Sequence, residues 1–176
     1  MPELSAPTGR LHASWLAARD EWSPGAHQDG SGLRLAPDGD LGSPEVFSEW
    51  VARLRRQADR SAPVGEGRVH ATHWWITEGD TYLGAVDLRH YLNDLLLDVG
   101  GHIGYSIRPS ARRRGVATWA LGAVLAEARA IGLDRVLVTC DDGNVGSALT
   151  IERNGGVLED VRTTGTGLKR RYWITL

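Results

Sequence analysis

The residues best suited to chemistry sit in one stretch, Ile103-Gly-Tyr-Ser-Ile107-Arg-Pro109-Ser-Ala-Arg112-Arg-Arg-Gly115-Val116-Ala117-Thr118. It reads as a strand stopped by Pro109, a tight loop, and a helix opening at about Gly115. The first N–H groups of a helix have no partner within it, and the helix dipole adds partial positive charge there. A phosphate can sit against such a terminus. Gly115 lets backbone approach an anion closely, and Ala117 keeps the next turn free of bulk. Arg108, Arg112, Arg113 and Arg114 bring charge to where a polyphosphate would lie. The plainer alternative is a solvated basic loop, because the chain is arginine-rich throughout: of 20 basic residues, only Lys169 is not Arg. No Gly-Lys-Ser/Thr loop and no Gly-x-Gly-x-x-Gly occurs. Nucleotide hydrolysis and dinucleotide binding therefore lose their usual signatures.

Composition narrows the remaining classes. The 176 residues suit one domain, and 41% hydrophobic with 24% charged residues is ordinary for a globular chain. The lone Cys140 excludes an intrachain disulfide framework and the cysteine-rich zinc sites. The histidines show neither His-x₃-His nor His-Glu-x-x-His spacing, so no metal is expected. No apolar run is long enough to span a membrane, and MPELSAPTGR lacks a secretory pattern, so the expected compartment is the cytoplasm. A net charge of −2 argues against a nucleic-acid partner, which the Arg run alone would suggest.

The elements that must position the anion loop follow from periodicity. Residues 1–67 read as helices and loops. A short amphipathic helix runs from Leu11 to Trp22, and a Gly/Pro-rich loop over 23–44 is a candidate lid. A helix starts at Ser43-Pro44-Glu45, with an apolar stripe of Val46, Phe47, Trp50, Val51 and Leu54. Residues 68–176 alternate strand and helix. Strands are expected at His73–Thr77, Thr81–Leu88, His102–Ile107, Arg135–Cys140, Val157–Thr164 and Leu168–Thr175. Helices are expected from Gly115 to about Ile131 and from Asn144 to Asn154, with Gly155 just past the end. Tyr91–Leu97 is ambiguous.

Arg112-x-x-Gly115-x-Ala117 resembles the Arg/Gln-x-x-Gly-x-Gly/Ala signature of the GNAT acetyltransferase superfamily. Ile107-x-Pro109 before it and Asn144-x-x-Ser147 with Glu152-Arg-Asn-Gly155 after it extend the likeness. Leu88-Arg-His90-x-x-Asn93, Gly101-His-Ile-Gly-Tyr-Ser-Ile-Arg-Pro109 and Arg171-Tyr-Trp-Ile174 resemble a little-characterised bacterial branch of that superfamily. The resemblance implies an α/β (α+β) fold: a mixed, mostly antiparallel sheet of six to seven strands flanked by helices. It implies a single domain over 1–176, in which 1–67 forms the acceptor side and 68–176 the cofactor core. It further implies acetyl-CoA, with the amides of Arg113, Arg114, Gly115, Val116, Ala117 and Thr118 on its pyrophosphate. Arg112 or Arg114 would meet the nucleotide phosphates. Ile107 and Asn144 would flank the pantetheine arm, and Ser147 would reach the arm or the phosphates.

Moving an acetyl group from a thioester to an amine needs a base for the amine proton and a donor for the departing thiolate. His102, at the start of the central strand, is the first choice of base, with Asp98 the second; a structural histidine is the competing reading. In many members of the superfamily a Tyr stands seven residues after the Asn, where this chain has Ile151. Solvent, the ammonium or a hydroxyl such as Tyr172 must then serve. Arg89, His90 and Asn93 are offered to the acceptor, a small-molecule or peptide amine, although a hydrogen-bonded strand corner explains them equally well. Acids of the N-terminal third, such as Asp20, Glu21 and Glu49, would attract a cationic acceptor. Cys140 is expected to pack rather than react. The missing Tyr keeps open a second function, a non-catalytic acyl-CoA-binding sensor. Homodimerisation is also left open.

Overall fold

The computed structural model describes residues 1–176. Four strands, β1 (Glu3–Ser5), β2 (Ala71–Glu78), β3 (Thr81–Arg89) and β4 (Ile103–Ile107), form one sheet in that order. Three more, β5 (Arg135–Asp141), β6 (Val157–Thr164) and β7 (Gly167–Thr175), form a second in the order β5-β7-β6. Every ladder is antiparallel. The seven strands agree with the expected count; the added one is β1, too short to read from periodicity. The helices are α1 (His12–Arg19), α2 (Pro44–Arg56), α3 (Asp94–Asp98), α4 (Val116–Ala130) and α5 (Val145–Arg153). The ambiguous Tyr91–Leu97 segment thus enters α3, whose start is capped by the Asn93 side chain accepting from the Leu96 N–H at 2.9 Å.

Two apolar clusters hold these elements. The larger joins both sheets to α4 and α5: Val116, Ala120, Leu121, Val124 and Ala128 recur at helical spacing and pack against Ile76, Val86, Ile103, Val136 and Val138. Small Ala residues let α4 lie close to the sheet. The second cluster is aromatic. Trp15 of α1, Phe47 and Trp50 of α2, and Trp75 and Tyr82 of the sheet meet tilted or edge-on at centroid distances of 5.1 to 6.1 Å. It clamps the N-terminal third onto the outer face of β2 and β3. Trp15, Trp50 and Trp75 are thereby core residues.

The two sheets separate between β4 and β5, where only a Gly101–Val138 bridge joins them. The His102 N–H donates to the Leu137 carbonyl at 2.7 Å, and the Leu137 N–H donates back to His102 Nδ1 at 2.9 Å. A side chain has replaced the next backbone acceptor. Beyond that point the strands part and a cleft opens.

Candidate active site

The cleft has a volume of about 1570 Å³ and runs along β4. Single ligand pockets measure roughly 300–1,000 Å³, so this space suits a large cofactor together with an acceptor. Three groups of residues divide it along the strand.

At the C-terminal end of β4 lies the anion loop. Arg113 has φ +61° and Gly115 φ +77°, two left-handed residues that turn backbone N–H groups outward before α4 begins. No side chain caps α4. A Cβ placed on Gly115 would meet nothing within 4 Å, so the space above this glycine is open for a ligand. Arg112, Arg113, Gly115, Val116, Ala117, Thr118 and Ile107 all line the cleft. Their side chains do different work. Arg112 donates from Nε to the Ile107 carbonyl at 3.0 Å and lies 4.7 Å from the Trp22 ring centre, so it braces the loop. Arg113 has no carboxylate partner and is free for an anion. Arg114 departs from expectation: it pairs with Glu78 at 2.9 Å and does not line the cleft. The local charge of the loop is therefore smaller than the Arg run suggests.

In the middle, the Tyr105 hydroxyl and Ser147 Oγ are 2.6 Å apart, with Cys140 beside them lining the same space. Tyr105 projects from β4, and Ser147 sits in the first turn of α5. That turn is fixed by Asn144 Oδ1 accepting from the Ser147 N–H at 3.0 Å. Burial pushes the Tyr105 phenol above its ordinary value, so it stays protonated and can donate. Burial likewise raises the Cys140 thiol, in keeping with a packing role. Ile151 is fully buried in the core, so no side chain enters the cleft from that position.

At the N-terminal end of β4 lies a charged group that the sequence did not single out as a unit. Asp87 Oδ1 accepts from the Gly104 N–H at 2.9 Å, and its Oδ2 faces Arg89 Nε at 3.3 Å. Arg89 also donates to Asp29 Oδ1 at 3.1 Å and to the Gly100 carbonyl at 2.6 Å. Burial works against the Arg89 charge, but Asp87 and Asp29 outweigh it and the guanidinium is held above its usual value. His73 stands opposite Asp87 in the β2–β3 register. Burial lowers its pKa, partly offset by Asp87, and its Nδ1 has no hydrogen-bond partner. Asp29, His73, Asp87 and Arg89 all line the cleft.

Asp29 arrives on the 23–44 loop, which is pinned rather than free. Gly30 touches β4 so closely that a Cβ there would fall 2.1 Å from the Gly104 carbonyl oxygen. Glu21, just ahead of the loop, is bound by Arg108 through Nε at 3.0 Å and by Ser110 through N and Oγ, each at 2.9 Å. The Arg108 hydrogen bond is the main reason the Glu21 carboxyl falls to about 2.

Several expected site residues have other duties. His102 is buried, does not line the cleft, and accepts from Leu137; burial takes its pKa down to about 4, which keeps that acceptor nitrogen unprotonated. It closes the end of the strand separation. Asp98 pairs with Arg162, outside the cleft. Tyr172 is in the core and donates to Glu152 Oε1 at 3.0 Å. His90 is buried with Nε2 against Thr72 Oγ1 at 2.8 Å, and Asn93 caps α3 and donates to the Gly67 carbonyl at 3.0 Å. Of the offered acceptor residues, only Arg89 reaches the cleft. Nor do the N-terminal acids present free charge: Asp20 pairs with Arg19, Glu21 with Arg108 and Glu49 with Arg53. Alternation along β3 and β4 was the available signal for Asp87 and Tyr105. Asp29, on an irregular loop, had none.

Two antiparallel sheets part around a cleft with an uncapped helix terminus at its mouth. The acetyltransferase (GNAT) domain model matches residues 37–157, which is more than half of the chain. The chain belongs to the GNAT acetyltransferase family and is an acetyltransferase by fold and family. Among curated protein sequences, none matches it. Solved structures share the fold at low identity. RimJ from Mycobacterium smegmatis, in complex with CoA-disulfide, is 19% identical, with TM-score 0.69 over 99% of this chain and 81% of its own. The ribosomal-protein-S5-alanine acetyltransferase of Vibrio fischeri is 14% identical, with TM-score 0.68 over 99% and 91%. The microcin self-immunity acetyltransferase MccE, in complex with acetyl-CoA and AMP, is 16% identical, with TM-score 0.63 over 99% and 92%. No helix of this chain is long and apolar enough to cross a membrane.

Proposed function

We propose that this acetyltransferase moves the acetyl group of acetyl-CoA to an amine of a small molecule or peptide by direct attack. One observation carries the proposal. A single cleft joins an uncapped helix terminus, a pair of hydroxyls and a buried His–Asp–Arg–Asp group in that order along β4. The acetyl-CoA and CoA bound to related structures support the choice of donor.

Bound acetyl-CoA supplies an activated thioester: a C–N bond forms to the amine as the C–S bond breaks and CoA leaves as its thiol. The chain's own residues do the rest. The amides from Arg113 to Thr118 and the Arg113 guanidinium hold the pyrophosphate. Ile107 and Asn144 flank the pantetheine arm. Ser147, backed by the Tyr105 hydroxyl, gives a proton to the departing sulfur, the role left open by Ile151. His73 takes the proton that the amine must shed; its lowered pKa keeps it a free base at neutral pH. Asp29 Oδ1 is occupied by Arg89 and the Gly30 N–H, which leaves Oδ2 to orient the amine. A second copy docking on the exposed Val157, Leu158 and Val161 of β6 is part of this proposal, checked by sedimentation velocity.

The test is CoA release on incubation with acetyl-CoA and pools of amines. Release that depends on one amine class supports the reading. Tight acetyl-CoA binding without release across broad pools overturns it in favour of a sensor.

A further inference from the structure

Beside the acceptor end of the cleft lies a second concavity of about 240 Å³ lined by Arg34, Arg53, Arg56 and Arg68 with Gln57. No carboxylate lines it. Arg34, Gln57 and Arg68 line the main cleft as well, so the two spaces adjoin. Arg53 pairs with Glu49 at 2.6 Å, whereas Arg34, Arg56 and Arg68 have no acidic partner. Three like charges gathered without a counter-charge repel one another.

Helix electrostatics explain part of this gathering. Arg53, Arg55 and Arg56 occupy the last turn of α2, where cations complement the dipole. That account does not reach Arg34, on the pinned loop, or Arg68, which precedes β2. Nor does it explain how Arg68 is held. Arg68 Nη2 donates to the Arg34 carbonyl at 3.2 Å, so one arginine of the cluster is held by the backbone of another. The result is a solvent-exposed concavity of arginines beside the main cleft. Guanidinium forks match the paired oxygens of a phosphoryl group, and the small volume suits one such group better than an extended acidic chain.

We propose that the acceptor is a small-molecule amine carrying a phosphoryl group away from its amine, and that Arg34, Arg56 and Arg68 bind that group while the amine enters the cleft. This proposal rests on the acetyl-transfer reading and names its substrate class. It reverses the expectation of a cationic acceptor, since the acids that suggested one are already paired.

The experiment compares ω-aminoalkyl phosphates, propyl to octyl, with the matching amino alcohols. CoA release is followed in phosphate-free buffer at constant ionic strength. The expected result is kcat/KM at least about tenfold higher for phosphates of one preferred length, carried mainly by KM, with the ratio falling toward one in Arg34→Gln/Arg68→Gln. An equal ratio in the unaltered protein, or a preference that survives the double substitution, overturns the proposal. So does a stronger arginine-dependent preference for a phosphate-free acidic peptide, which would indicate a protein acceptor. Calorimetric titration with inorganic phosphate alone separates the two levels of inference. Binding that the double substitution weakens supports the anion site even if no amine releases CoA, whereas absence of binding overturns the site while leaving acetyl transfer standing.

Discussion

At the C-terminal end of β4 the consecutive residues Arg113 to Thr118 form the proposed anion cradle, whereas at its N-terminal end Asp29, His73, Asp87 and Arg89 come from three separated segments. The first end works through backbone N–H groups and one glycine. The second works through side chains whose charges are set by burial and by one another. A backbone site needs the right local turn and is indifferent to most neighbours. A buried charged group needs every partner in place, because a charge left unpaired there costs several kcal/mol. Cofactor recognition should therefore tolerate changes that acceptor chemistry does not, and the reverse.

The largest expected effect tests the cradle. Gly115→Leu puts a side chain into the open space and forces a left-handed backbone, a strain of about 1–2 kcal/mol. CoA affinity should fall by about 100-fold or more, measured by calorimetry. The thermal midpoint should move only a few degrees. Unchanged affinity would place the cradle elsewhere.

His73→Ala should act at the other end alone. We expect kcat to fall by roughly 100-fold, in the range for loss of a general base, with CoA affinity nearly unchanged. Because the His73 pKa is lowered, an acid limb set by His73, separated from the amine's own limb by comparing acceptors of different basicity, should lie under 6.5 and be absent in His73→Ala.

A substitution just ahead of β4 sharpens the contrast by affecting stability more than chemistry. His102→Asn should cost about 1–3 kcal/mol by leaving the Leu137 N–H poorly satisfied. His102 has a folded pKa of about 4 against 6.5 for a free imidazole. Its contribution is full above pH 6.5 and is lost as pH falls through about 4, while the unfolded chain takes up the proton. Urea melts across that window should slope less for the variant.

The smallest effect belongs to the latch that holds the N-terminal third against the anion loop. Glu21→Gln should cost about 1 kcal/mol, read from the same melts. The Glu21 carboxyl is depressed from 4.5 to about 2, so its contribution is present above pH 4.5 and lost as pH falls through about 2. The variant should be insensitive there.

Most elements were legible in the chain. The α2 stripe, the Ala-rich α4 and the six longer strands follow from periodicity, and the α4 and α5 starts fall within a residue of expectation. The turn proposed as the cradle was legible because it is local: a strand stop, a glycine and a helix start in order. The roles of individual side chains were not. Arg114 looked like a phosphate ligand until Glu78, thirty-six positions away in sequence, took it up. His102 looked like a base because titration range is written in residue type, but burial and its Leu137 partner are not. Gly30 and Gly104 gave no sign in sequence that they would touch.

By itself, then, the sequence determined most of the secondary elements, their order and the tight turn before α4, all of which depend on interactions between residues close along the chain. The tertiary structure alone decided which carboxylates and histidines face the cleft, which arginines are left without partners, and which titratable groups are silenced. Those outcomes depend on burial and long-range pairing, and both arise only when distant segments pack together.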